Sequence, residues 1–454
     1  MGGGLLQLVA FGAQDAYISG NPHITFWKVL YKRHTNFAVE AFRVNFTGAP
    51  SYGQRVVAVV NRNADLVWKT YVEIALPDMT PPAVDPTWTS GAQRRIGYLM
   101  LKQIEVEIGG QIIDRHYGEW LYLWETLTAD FNTAYKLDSM VGGTLGGTTT
   151  GAVACRGRPN VLYVPLQFWF NRNPGLALPL IALQYHEVRF NITLADATDL
   201  VSNTGFTSIN GAAAALPLPK DMCLYIDYVY LDVDERRRFA QESHEYLIDQ
   251  LQYTGQQTIT TASGRLDLTL NHPVKELIWL FQDARYSDCA SIGVTDPNTG
   301  AASTYTMPFT YSDIVNRARL QINGQDRFDE RYGDYFWKVQ PYQHHTGSGV
   351  NPAYGVLSSV VDTVSGAARD PLIVGRSNPI NVYSFAISPE EHQPSGTCNF
   401  SRIDTATLVF DSIRGSTDDG SYPSKTYPYN FRMYAVNYNI FRIMSGMGGL
   451  AYSN

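Results

Sequence analysis

The chain has 454 residues, of which 44% are hydrophobic and 17% are charged, and its formal net charge is −7. This length is too great for one ordinary core and predicts two domains of about 200 residues each. The composition excludes a disordered chain, and the negative charge argues against direct binding of nucleic acid, which requires a surplus of Lys and Arg.

The first 25 residues predict an N-terminal arm. Its apolar side chains, which would be exposed on an isolated arm, are Leu5, Leu6, Leu8, Val9 and Phe11. We therefore expect the arm to pack on a neighbouring subunit or on an inner layer; the alternative is that it tucks under its own domain. No basic residues precede the apolar stretch, so we expect no signal peptide. No apolar run in the sequence approaches the ~18–20 residues of a membrane span.

The cysteines are scattered along the chain without a C-x-x-C spacing, at Cys155, Cys223, Cys289 and Cys398. Four cysteines in a chain of 454 residues do not make a disulfide scaffold. The low number and scattered positions of the cysteines therefore favour a reducing compartment, and we expect a soluble chain made in the cytosol.

Most of the predicted secondary structure consists of short strands rich in β-branched and aromatic residues. In chain order they are 66–77, 161–170, 186–194, 224–234, 274–282, 406–410 and 431–443. Segments 119–131 and 234–252 are the exceptions, and their pattern is compatible with helices. Many short strands punctuated by Gly, Pro and Asn predict β-sandwiches rather than alternating α/β units.

Long polar or Gly/Thr-rich insertions separate these strands, at 139–160, 200–219, 292–306, 344–380 and 411–426. Loops of this length are uncommon inside compact domains and usually carry function. Here we expect them to serve surface contact or display rather than chemistry.

One short pattern occurs twice, as VEIGGQIIDRHYGEW at 106–120 and as LQINGQDRFDERYGDYF at 320–336. In each copy an alternating strand meets a Gly, which predicts a hairpin turn with a positive φ at Gly110 or Gly324. Each copy closes on Tyr, Gly, an acid and an aromatic residue, where Gly118 and Gly333 lie. We expect this closing turn to anchor the segment that follows it.

Further matches keep the same order along the chain. Val67 corresponds to Ile278, an offset of 211 residues, and Phe190 corresponds to Phe410, an offset of 220. Loop insertions produce an offset that rises slowly, so these matches predict a tandem duplication.

The duplication predicts the domain organisation. We expect an arm at 1–25, a first domain at 26–233, a helical or polar linker at 234–252 and a second domain at 253–454. About eight strands per domain, joined by long loops, predict jelly rolls rather than small immunoglobulin-like sandwiches.

The sequence offers few candidates for chemistry, and we predict no catalytic, cofactor-binding or metal site. No P-loop, dinucleotide-binding glycine motif or nucleophile elbow occurs. His344, His345 and the acid-acid-His run at 390–392 have ligand chemistry. Adjacent His side chains in a strand point to opposite faces, so solvated loop residues are the better interpretation. Glu119 and Asp334 each lie at a turn exit, which favours hydrogen bonding to loop backbone over a glycosidase pair.

Two further surface motifs have ordinary interpretations. The Arg run at 236–238 is flanked by acidic residues, which favours a salt-bridged linker over a nucleic-acid patch. Glycosylation sequons occur at Asn45, Asn191 and Asn399. Asn191 and Asn399 lie in strand-like segments and no secretory route is indicated, so we interpret the sequons as chance matches.

Long segments of the chain match a known pattern nearly from end to end. Besides 106–120, they read GGGLLQLVAFGAQDAYISGNPHITFWK (2–28), LYVPLQFWFNRNPGLALPLIALQYHEV (162–188), HPVKELIW (272–279), EEHQPSGTCNFSRID (390–404) and RIMSGMGGLAYSN (442–454). These segments resemble the major capsid protein of nucleocytoplasmic large DNA viruses, the giant icosahedral viruses. The Gly/Thr-rich and polar loops fall outside the resemblance.

The resemblance implies an all-β fold of two tandem eight-stranded jelly-roll sandwiches, with long surface loops and a few short helices. It implies pseudo-hexagonal homotrimers, or capsomers, that tile the facets of an icosahedral shell. The duplication then has a geometric reason, because three chains of two similar domains make six near-equivalent lobes that pack in a hexagonal lattice.

The resemblance also implies the surroundings of the protein, which would belong to the virion and be assembled in the host cytoplasm. Implied partners are neighbouring capsomers, minor capsid proteins and a penton protein, with an internal membrane close by but not spanned. The arm would lie on the inner side of the shell and the long loops would face outward. The implied function is structural, without a cofactor and without direct contact with nucleic acid.

A carbohydrate-binding or host-attachment β-sandwich protein is the alternative. A carbohydrate-binding protein would need aromatic and acidic side chains clustered in one domain, whereas this sequence spreads its aromatic residues through both halves. Host attachment is compatible with long exposed loops and with a structural role at the same time.

Overall fold

Two units make up the chain in the computed structural model, Met1–Phe37 and Ala38–Asn454. The structure describes residues 3–22, 24, 26, 31–76, 95–142, 161–196, 200, 219, 221–261, 263–283, 309, 311, 314–347, 379–413 and 429–452. All five predicted loops lie wholly or mostly outside these residues, as do Cys155 and Cys289. No helix within the described ranges is long and apolar enough to cross a membrane.

The first unit carries two short helices, α1 (Gly3–Val9) and α2 (Ala16–Ser19). Asp15 stabilises the turn before α2, because its carboxylate accepts a hydrogen bond from the backbone amide of Gly12 at 2.7 Å. Neither helix buries a residue, and Leu8 is 78% exposed. The apolar side chains predicted for the arm are therefore exposed in a single chain.

The first half of the second unit folds into two antiparallel sheets that share one core. Its strands are β1 (Phe37–Asn45), β2 (Arg55–Val59), β3 (Leu66–Ala75), β4 (Leu101–Ile108), β5 (Gln111–His116), β6 (Val161–Pro165), β7 (Leu178–Pro179), β8 (Val188–Leu194) and β9 (Asp221–Leu231). The A-sheet has the strand order β1-β9-β3-β6, with β7 beside β3, and the B-sheet has the order β2-β8-β4-β5. This distribution of strands between two sheets is the topology of a jelly roll.

The second half repeats this topology. Its strands are β10 (His244–Ile259), β11 (Gly264–Asp267), β12 (Pro273–Asp283), β13 (Val315–Ile322), β14 (Gln325–Asp326), β15 (Arg331–Tyr332), β16 (Asn381–Ser384), β17 (Cys398–Asn399), β18 (Ala406–Ile413), β19 (Tyr429–Met444) and β20 (Met447–Leu450). The A-sheet of this roll has the order β10-β19-β12-β16 and the B-sheet has the order β11-β18-β13-β14. The short strands β15, β17 and β20 pair beside β13, β12 and β19.

The two rolls have the same strand order in both of their sheets, which confirms the predicted double jelly roll. Val67 lies on β3 and Ile278 on β12, which are equivalent strands, but the two residues pair differently: Val67 is opposite Leu178 of β7, and Ile278 is opposite Val382 of β16. Phe190 on β8 and Phe410 on β18 lie on equivalent strands of the two B-sheets, with Phe190 opposite Val106 and Phe410 opposite Ala318. The offset between matching residues of the two halves rises along the sequence, because the same fold is repeated with connections of different length.

Short helices lie in the connections between strands. They are α3 (Ile96–Met100), α4 (Gly118–Thr128), α5 (Phe131–Met140), α6 (Trp169–Arg172), α7 (Val233–Gln241) and α8 (Gln340–His344). Two 3₁₀ turns, Pro174–Leu176 and Phe400–Arg402, and a π-helical turn, Tyr335–Val339, complete the set among the described residues. Asp130 caps α5, since its carboxylate accepts a hydrogen bond from the amide of Thr133 at 3.1 Å.

The linker predicted at 234–252 is helical only in its first half, as α7. The helical expectation for its second half is wrong, because residues from His244 onward form β10. That strand is paired along its length with β19, from His244 opposite Ile443 to Ile259 opposite Tyr429. Strand pairing over this length overrides the helical propensity of the local sequence, which is a weak predictor by itself.

The A-sheet of the second roll is buried on both faces. Along β12, Leu277, Trp279 and Phe281 belong to the core of the second roll. The intervening Ile278 and Leu280 belong to a cluster that continues into the first roll. Successive strand side chains point to opposite faces, so this one sheet is the wall between the two cores.

The duplicated sequence pattern forms the same hairpin in both rolls. Strand β4 ends at Ile108, which pairs with Gln111 at the start of β5. The turn residues between them are Gly109 (φ +60°) and Gly110 (φ +84°). The second copy has Asn323 (φ +50°) and Gly324 (φ +77°) between Ile322 and Gln325. Two central residues with positive φ define the hairpin turn that favours Gly and Asn.

Gly118 and Gly333 have a different physical role in the same pattern. A Cβ atom at Gly118 would lie 1.9 Å from the carbonyl oxygen of Tyr98, and one at Gly333 would lie 2.1 Å from that of Val315. Both positions therefore require glycine because the backbone passes close by, and not because of a positive φ.

We predict that Gly110→Val and Gly324→Val each lower the free energy of unfolding by about 1–2 kcal/mol. No heavy atom lies within 4 Å of a Cβ at either position, so the cost comes from the left-handed backbone alone. Denaturant unfolding of the purified variants measures it, with Gly4→Val as the control because Gly4 has open space and no positive φ. Unchanged stability in both variants would contradict the turn assignment.

Candidate functional site

Helix α4 of the first roll packs on residues of the second roll. The ring of Trp120 lies 5.8 Å from that of Tyr434 on β19, and the ring of Tyr122 stacks on Phe309 at 4.6 Å. We use the term junction for the contacts that α4, β5 and α6 make with the second roll. The junction is where the described part of the chain brings its two halves together.

Glu119 is the polar centre of the junction. Its carboxylate accepts hydrogen bonds from Arg432 at 2.7 Å, from Tyr434 at 2.6 Å and from Tyr311 at 3.1 Å. The Arg432 guanidinium also donates to Gln282 at 2.7 Å and to Gln256 at 3.1 Å. One carboxylate of the first roll thus accepts hydrogen bonds from three side chains of the second.

The two phenols keep their protons in this setting. Burial is the main cause that raises the pKa of Tyr434 and of Tyr311 well above the ordinary value, and the charge of Glu119 adds to it. Both side chains therefore stay neutral donors to Glu119 over the whole physiological pH range.

Strand β5 makes a second polar contact with β10. The Asp114 carboxylate accepts a hydrogen bond from the backbone amide of Leu251 at 3.1 Å, and its other oxygen lies 3.0 Å from Nε2 of His116. The side chain of Gln250 donates to the carbonyl oxygen of Ile113. These bonds fix the register of the first roll against the edge of the second A-sheet.

A buried cluster of charges surrounds Asp249 on β10. Lys275, whose side chain is 1% exposed, approaches the Asp249 carboxylate at 3.1 Å, and Arg172 of α6 approaches it at 3.5 Å. The Lys275 ammonium also lies 4.9 Å from the ring centre of Tyr438. Burial is the main cause that lowers the pKa of Lys275, and the carboxylate of Asp249 opposes that effect. Asp249 thus joins a cation of each roll.

His345 lies between two carboxylates. Its Nε2 is 3.0 Å from Glu276 and its Nδ1 is 3.0 Å from Glu390, and the imidazole is fully buried. Burial alone would lower the pKa of His345, but the charges of Glu276 and Glu390 and their hydrogen bonds raise it to about 9. The ring is therefore a cation at neutral pH.

The residues that follow His345 attach this site to the first roll. The amide of Thr346 donates to Glu390 at 2.9 Å, and the amide of Gly347 donates to the carbonyl oxygen of Leu127 at 2.7 Å. Leu127 lies in the last turn of α4, where helix carbonyls lack partners within the helix. The second roll therefore supplies a cap for α4.

The two copies of the duplicated pattern differ at equivalent positions. Asp334, the counterpart of Glu119, makes a surface ion pair with Lys338 at 3.0 Å. His116 is buried and stacks on Phe168 at 4.2 Å, whereas its counterpart Arg331 is exposed. The candidate carboxylate pair thus divides between two separate networks, one internal and one at the surface.

The remaining candidates from the sequence lie in ordinary surroundings, with one correction. His345 is buried and ion-paired, so its interpretation as a solvated loop residue is wrong; His344 contacts the carbonyl oxygen of Ile387 at 2.9 Å. In the described residues, no group of three or more His, Cys, Asp or Glu side chains is arranged to hold a metal. Arg236 pairs with Asp65 at 2.9 Å, which agrees with a salt-bridged linker.

The sequons lie in three different environments. Asn191 on β8 is 3% exposed and donates a hydrogen bond to Glu107 at 2.8 Å, which leaves no room for a glycan in the folded chain. Asn45 is exposed at the end of β1. Asn399 accepts a hydrogen bond from the amide of Ser401 at 3.1 Å.

The sequence matches one family in both halves. Residues 25–232 match the family described as "Major capsid protein N-terminus". Residues 235–358 and 368–449 match the family described as "Large eukaryotic DNA virus major capsid protein". The chain belongs to the major capsid protein family of large eukaryotic DNA viruses.

Individual relatives agree over their whole length. The capsid protein is 46% identical to the major capsid protein of Pyramimonas orientalis virus over 456 residues, and 40% identical to that of Paramecium bursaria Chlorella virus 1 over 488 residues. Each comparison covers 100% of both chains. These relatives are structural proteins of virions and not enzymes, and the capsid protein shares that role.

Solved structures agree with the fold. The capsid protein matches a chain of the PBCV-1 virus capsid with a TM-score of 0.72 and 34% identity, covering 95% of this chain and 100% of that one. It matches the Faustovirus major capsid protein with a TM-score of 0.66 at 13% identity, covering 97% and 96%. The second match shows that the fold persists where little sequence similarity remains.

We predict that Glu119→Ala lowers the free energy of unfolding of the capsid protein by about 3 kcal/mol, because it leaves the largely buried Arg432 without its carboxylate. Asp334→Ala is the matched control at the equivalent surface position, and we expect a loss below about 1 kcal/mol. Urea unfolding of both variants measures the difference. Equal losses would mean that the junction does not depend on Glu119.

We predict a pH-dependent stability that arises from His345. Its folded pKa of about 9 lies above its ordinary value of 6.5, so the stabilisation is complete below pH 6.5 and is lost as the pH rises through 9. The loss amounts to about 3 kcal/mol. Thermal unfolding between pH 6 and pH 10 should show a shallower decline for His345→Gln than for the wild type, while His344→Gln keeps the wild-type slope. Parallel declines in all three proteins would refute this role.

Proposed function

We propose that three copies of the capsid protein associate into a pseudo-hexagonal capsomer, and that these capsomers tile the facets of an icosahedral shell. The observation that supports this most directly is the fixed pairing of two jelly rolls with the same topology in one chain. Three such chains around a threefold axis place six similar lobes in a ring. Cyclic contacts of this kind are heterologous and close on themselves.

The buried junction supports the same proposal. A lattice of capsomers needs lobes whose relative position does not vary, because many weak lateral contacts add up only when geometry lets them form together. The Glu119, Asp249 and His345 networks hold the two rolls of one chain in a single arrangement. The chain thus has the rigidity that a tile requires.

We infer that the N-terminal arm binds a neighbouring subunit or the layer beneath the shell. Its helices bury no residue, and Leu8 and Val9 are 78% and 75% exposed. Exposed apolar side chains in series usually mark an interaction surface. Minor capsid proteins, a penton protein and an internal membrane are the surroundings we propose, with assembly in the host cytoplasm. The net charge of −7 does not favour direct contact with the genome.

We predict that the purified capsid protein elutes as a trimer of about 152 kDa, three times the 50.6 kDa of one chain. Size-exclusion chromatography with light scattering measures the mass, and negative-stain images should show particles with a hexagonal outline. A stable 50.6 kDa monomer at every concentration, without hexagonal particles, would overturn the proposal. That result would favour the alternative of a monomeric carbohydrate-binding or attachment protein.

A further inference from the structure

A loop of the second roll closes over the charged part of the junction. It spans residues 385–396, and we name it the latch loop. Its ends are held together, because the hydroxyl oxygen of Ser395 accepts a hydrogen bond from the amide of Ser388 at 3.0 Å. The amides of its first two residues donate to the carbonyl oxygen of Lys275 at 2.8 and 3.2 Å. The loop is thus a compact unit anchored on β12, of the kind that is frequently functional.

A β-bulge brings two opposite charges together at this anchor. The pairing of β12 with β19 shifts between Val274 and Glu276, so Lys275 is the extra residue of the bulge. Both charged side chains are buried. Lys275 pairs with Asp249 at 3.1 Å, and Glu276 pairs with His345 at 3.0 Å. The two charge clusters of the junction are therefore joined at the bulge.

His392 of the latch loop lies beside the Asp249 cluster. Its carbonyl oxygen is 3.5 Å from the hydroxyl of Tyr438, and the ring centre of Tyr438 is 4.9 Å from the Lys275 ammonium. The imidazole is half-buried, and burial is the main cause that lowers the pKa of His392 from its ordinary value of 6.5. The charges of Lys275 and Arg172 also lower it, whereas the charge of Asp249 opposes them. The ring is therefore neutral at neutral pH.

The buried charges around the latch loop balance only while this ring is neutral. The charged groups beside the loop are Arg172 on α6, Asp249 on β10, Lys275 and Glu276 on β12, His345 after α8 and the loop's own Glu390. Among the described residues, three cations thus face three carboxylates. Tyr438 is neutral, because burial raises its pKa, and Glu391 is exposed to solvent. A protonated His392 is a fourth cation in a site that is largely shielded from water, where a charge without a partner is costly.

Glu390 connects the latch loop to helix α4 of the first roll. Its carboxylate accepts a hydrogen bond from the amide of Thr346 at 2.9 Å and lies 2.7 Å from the hydroxyl of the same residue. That hydroxyl is 3.0 Å from the carbonyl oxygen of Thr128, and the next amide, of Gly347, donates to Leu127 at 2.7 Å. Both carbonyl groups belong to the last turn of α4. Glu390 therefore holds the backbone that caps α4.

We propose that the latch loop is an acid-sensitive switch for the junction. Protonation of His392 adds a cation beside Lys275 and Arg172. The loop then opens to bring the ring into water, and Glu390 separates from Thr346. Helix α4 loses its cap, and the contact between the two rolls loosens. The chain thus holds its rolls rigid at neutral pH and releases them in acid, as a shell that opens inside an acidic compartment requires. This inference does not depend on the proposed trimer, because every group in it belongs to one chain.

The direction of the pH dependence follows from His392. Its pKa is lower in the closed loop than its ordinary value of 6.5, so the stabilisation is complete above pH 6.5 and is lost as the pH falls below that value. Two neighbouring charges stay constant in that range. His345 remains a cation, since its pKa is raised to about 9. Glu390 remains ionised, because burial raises its pKa but hydrogen bonds from His345 and Thr346 lower it below the ordinary value of 4.5.

Hydrogen exchange of the intact capsid protein tests the switch. Between pH 7 and pH 5, after correction for intrinsic exchange rates, we expect the protection of the latch loop and of the last turn of α4 to fall by up to about tenfold per pH unit below 6.5. His392→Gln keeps this position neutral, so its protection should stay constant over the range. His34→Gln is the matched control, because His34 is exposed and lies in the first unit, and it should show the wild-type fall. Constant protection in the wild type, or a wild-type fall that persists in His392→Gln, overturns the switch.

A measurement on the wild type alone gives a second test, which decides the case if His392→Gln does not fold. Exchange of the imidazole C2 proton, followed by mass spectrometry from about pH 4 to pH 9, gives the pKa of each histidine. We expect a midpoint below 6.5 for His392 and a midpoint well above it for His345. A midpoint at or above 6.5 for His392 overturns the inference, whatever the oligomeric state of the capsid protein.

Discussion

The burial of one β-sheet on both of its faces is the constraint on which the rest of the structure depends. Every residue of β19 from Tyr429 to Asn439 is buried, because one side of the strand lines the second core and the other side faces the first roll. A strand in this position cannot alternate between apolar and polar residues as a half-exposed strand does. The second A-sheet is therefore a wall between the two rolls, and its outer face is buried only when the first roll packs on it.

Polar side chains inside that wall determine how the rolls align. The buried charge of Arg432 requires a carboxylate, and Glu119 of the first roll supplies it. Buried ion pairs contribute little net stability but penalise any arrangement that leaves one member alone. The junction networks thus select one alignment out of the many that apolar contact would tolerate. A duplicated domain needs such selection, since its two halves have similar surfaces.

The sequence was sufficient for the parts of the structure that depend on local chemistry. The hairpin turns at Gly110 and Gly324 follow from the Gly and Asn preference for positive φ, and the slow drift in offset reveals the repeated strand order. The family resemblance supplied the double jelly roll, and the matches over both halves agree with it. The distinction between Gly118, which permits a close backbone approach, and a turn glycine required coordinates.

The junction could not be predicted, because its members are far apart in the chain. Tyr434 and Glu119 are 315 positions apart. The two carboxylates that keep His345 protonated are also distant in sequence, because Glu276 lies on β12 and Glu390 lies in a later loop. The adjacent histidines suggested a solvated loop because only their neighbours in sequence were visible. Residues 244–252 looked helical for the same reason, since their partner strand β19 begins at Tyr429. One signal was available in retrospect: β19 lacks the alternation that a half-exposed strand would show.

The long separation across the junction has a consequence for the order in which the chain folds. The strands of the first roll are complete once β9 ends at Leu231, but Glu119 of α4 lacks Arg432 and Tyr434 until β19 leaves the ribosome. At ~5–20 residues per second, the 315 positions between Glu119 and Tyr434 take roughly 15–60 s to synthesise. For that interval the first roll presents an apolar face to solvent, and other nascent copies display the same face. A polysome producing a shell protein in quantity is therefore the place where this fold is most exposed to misassembly.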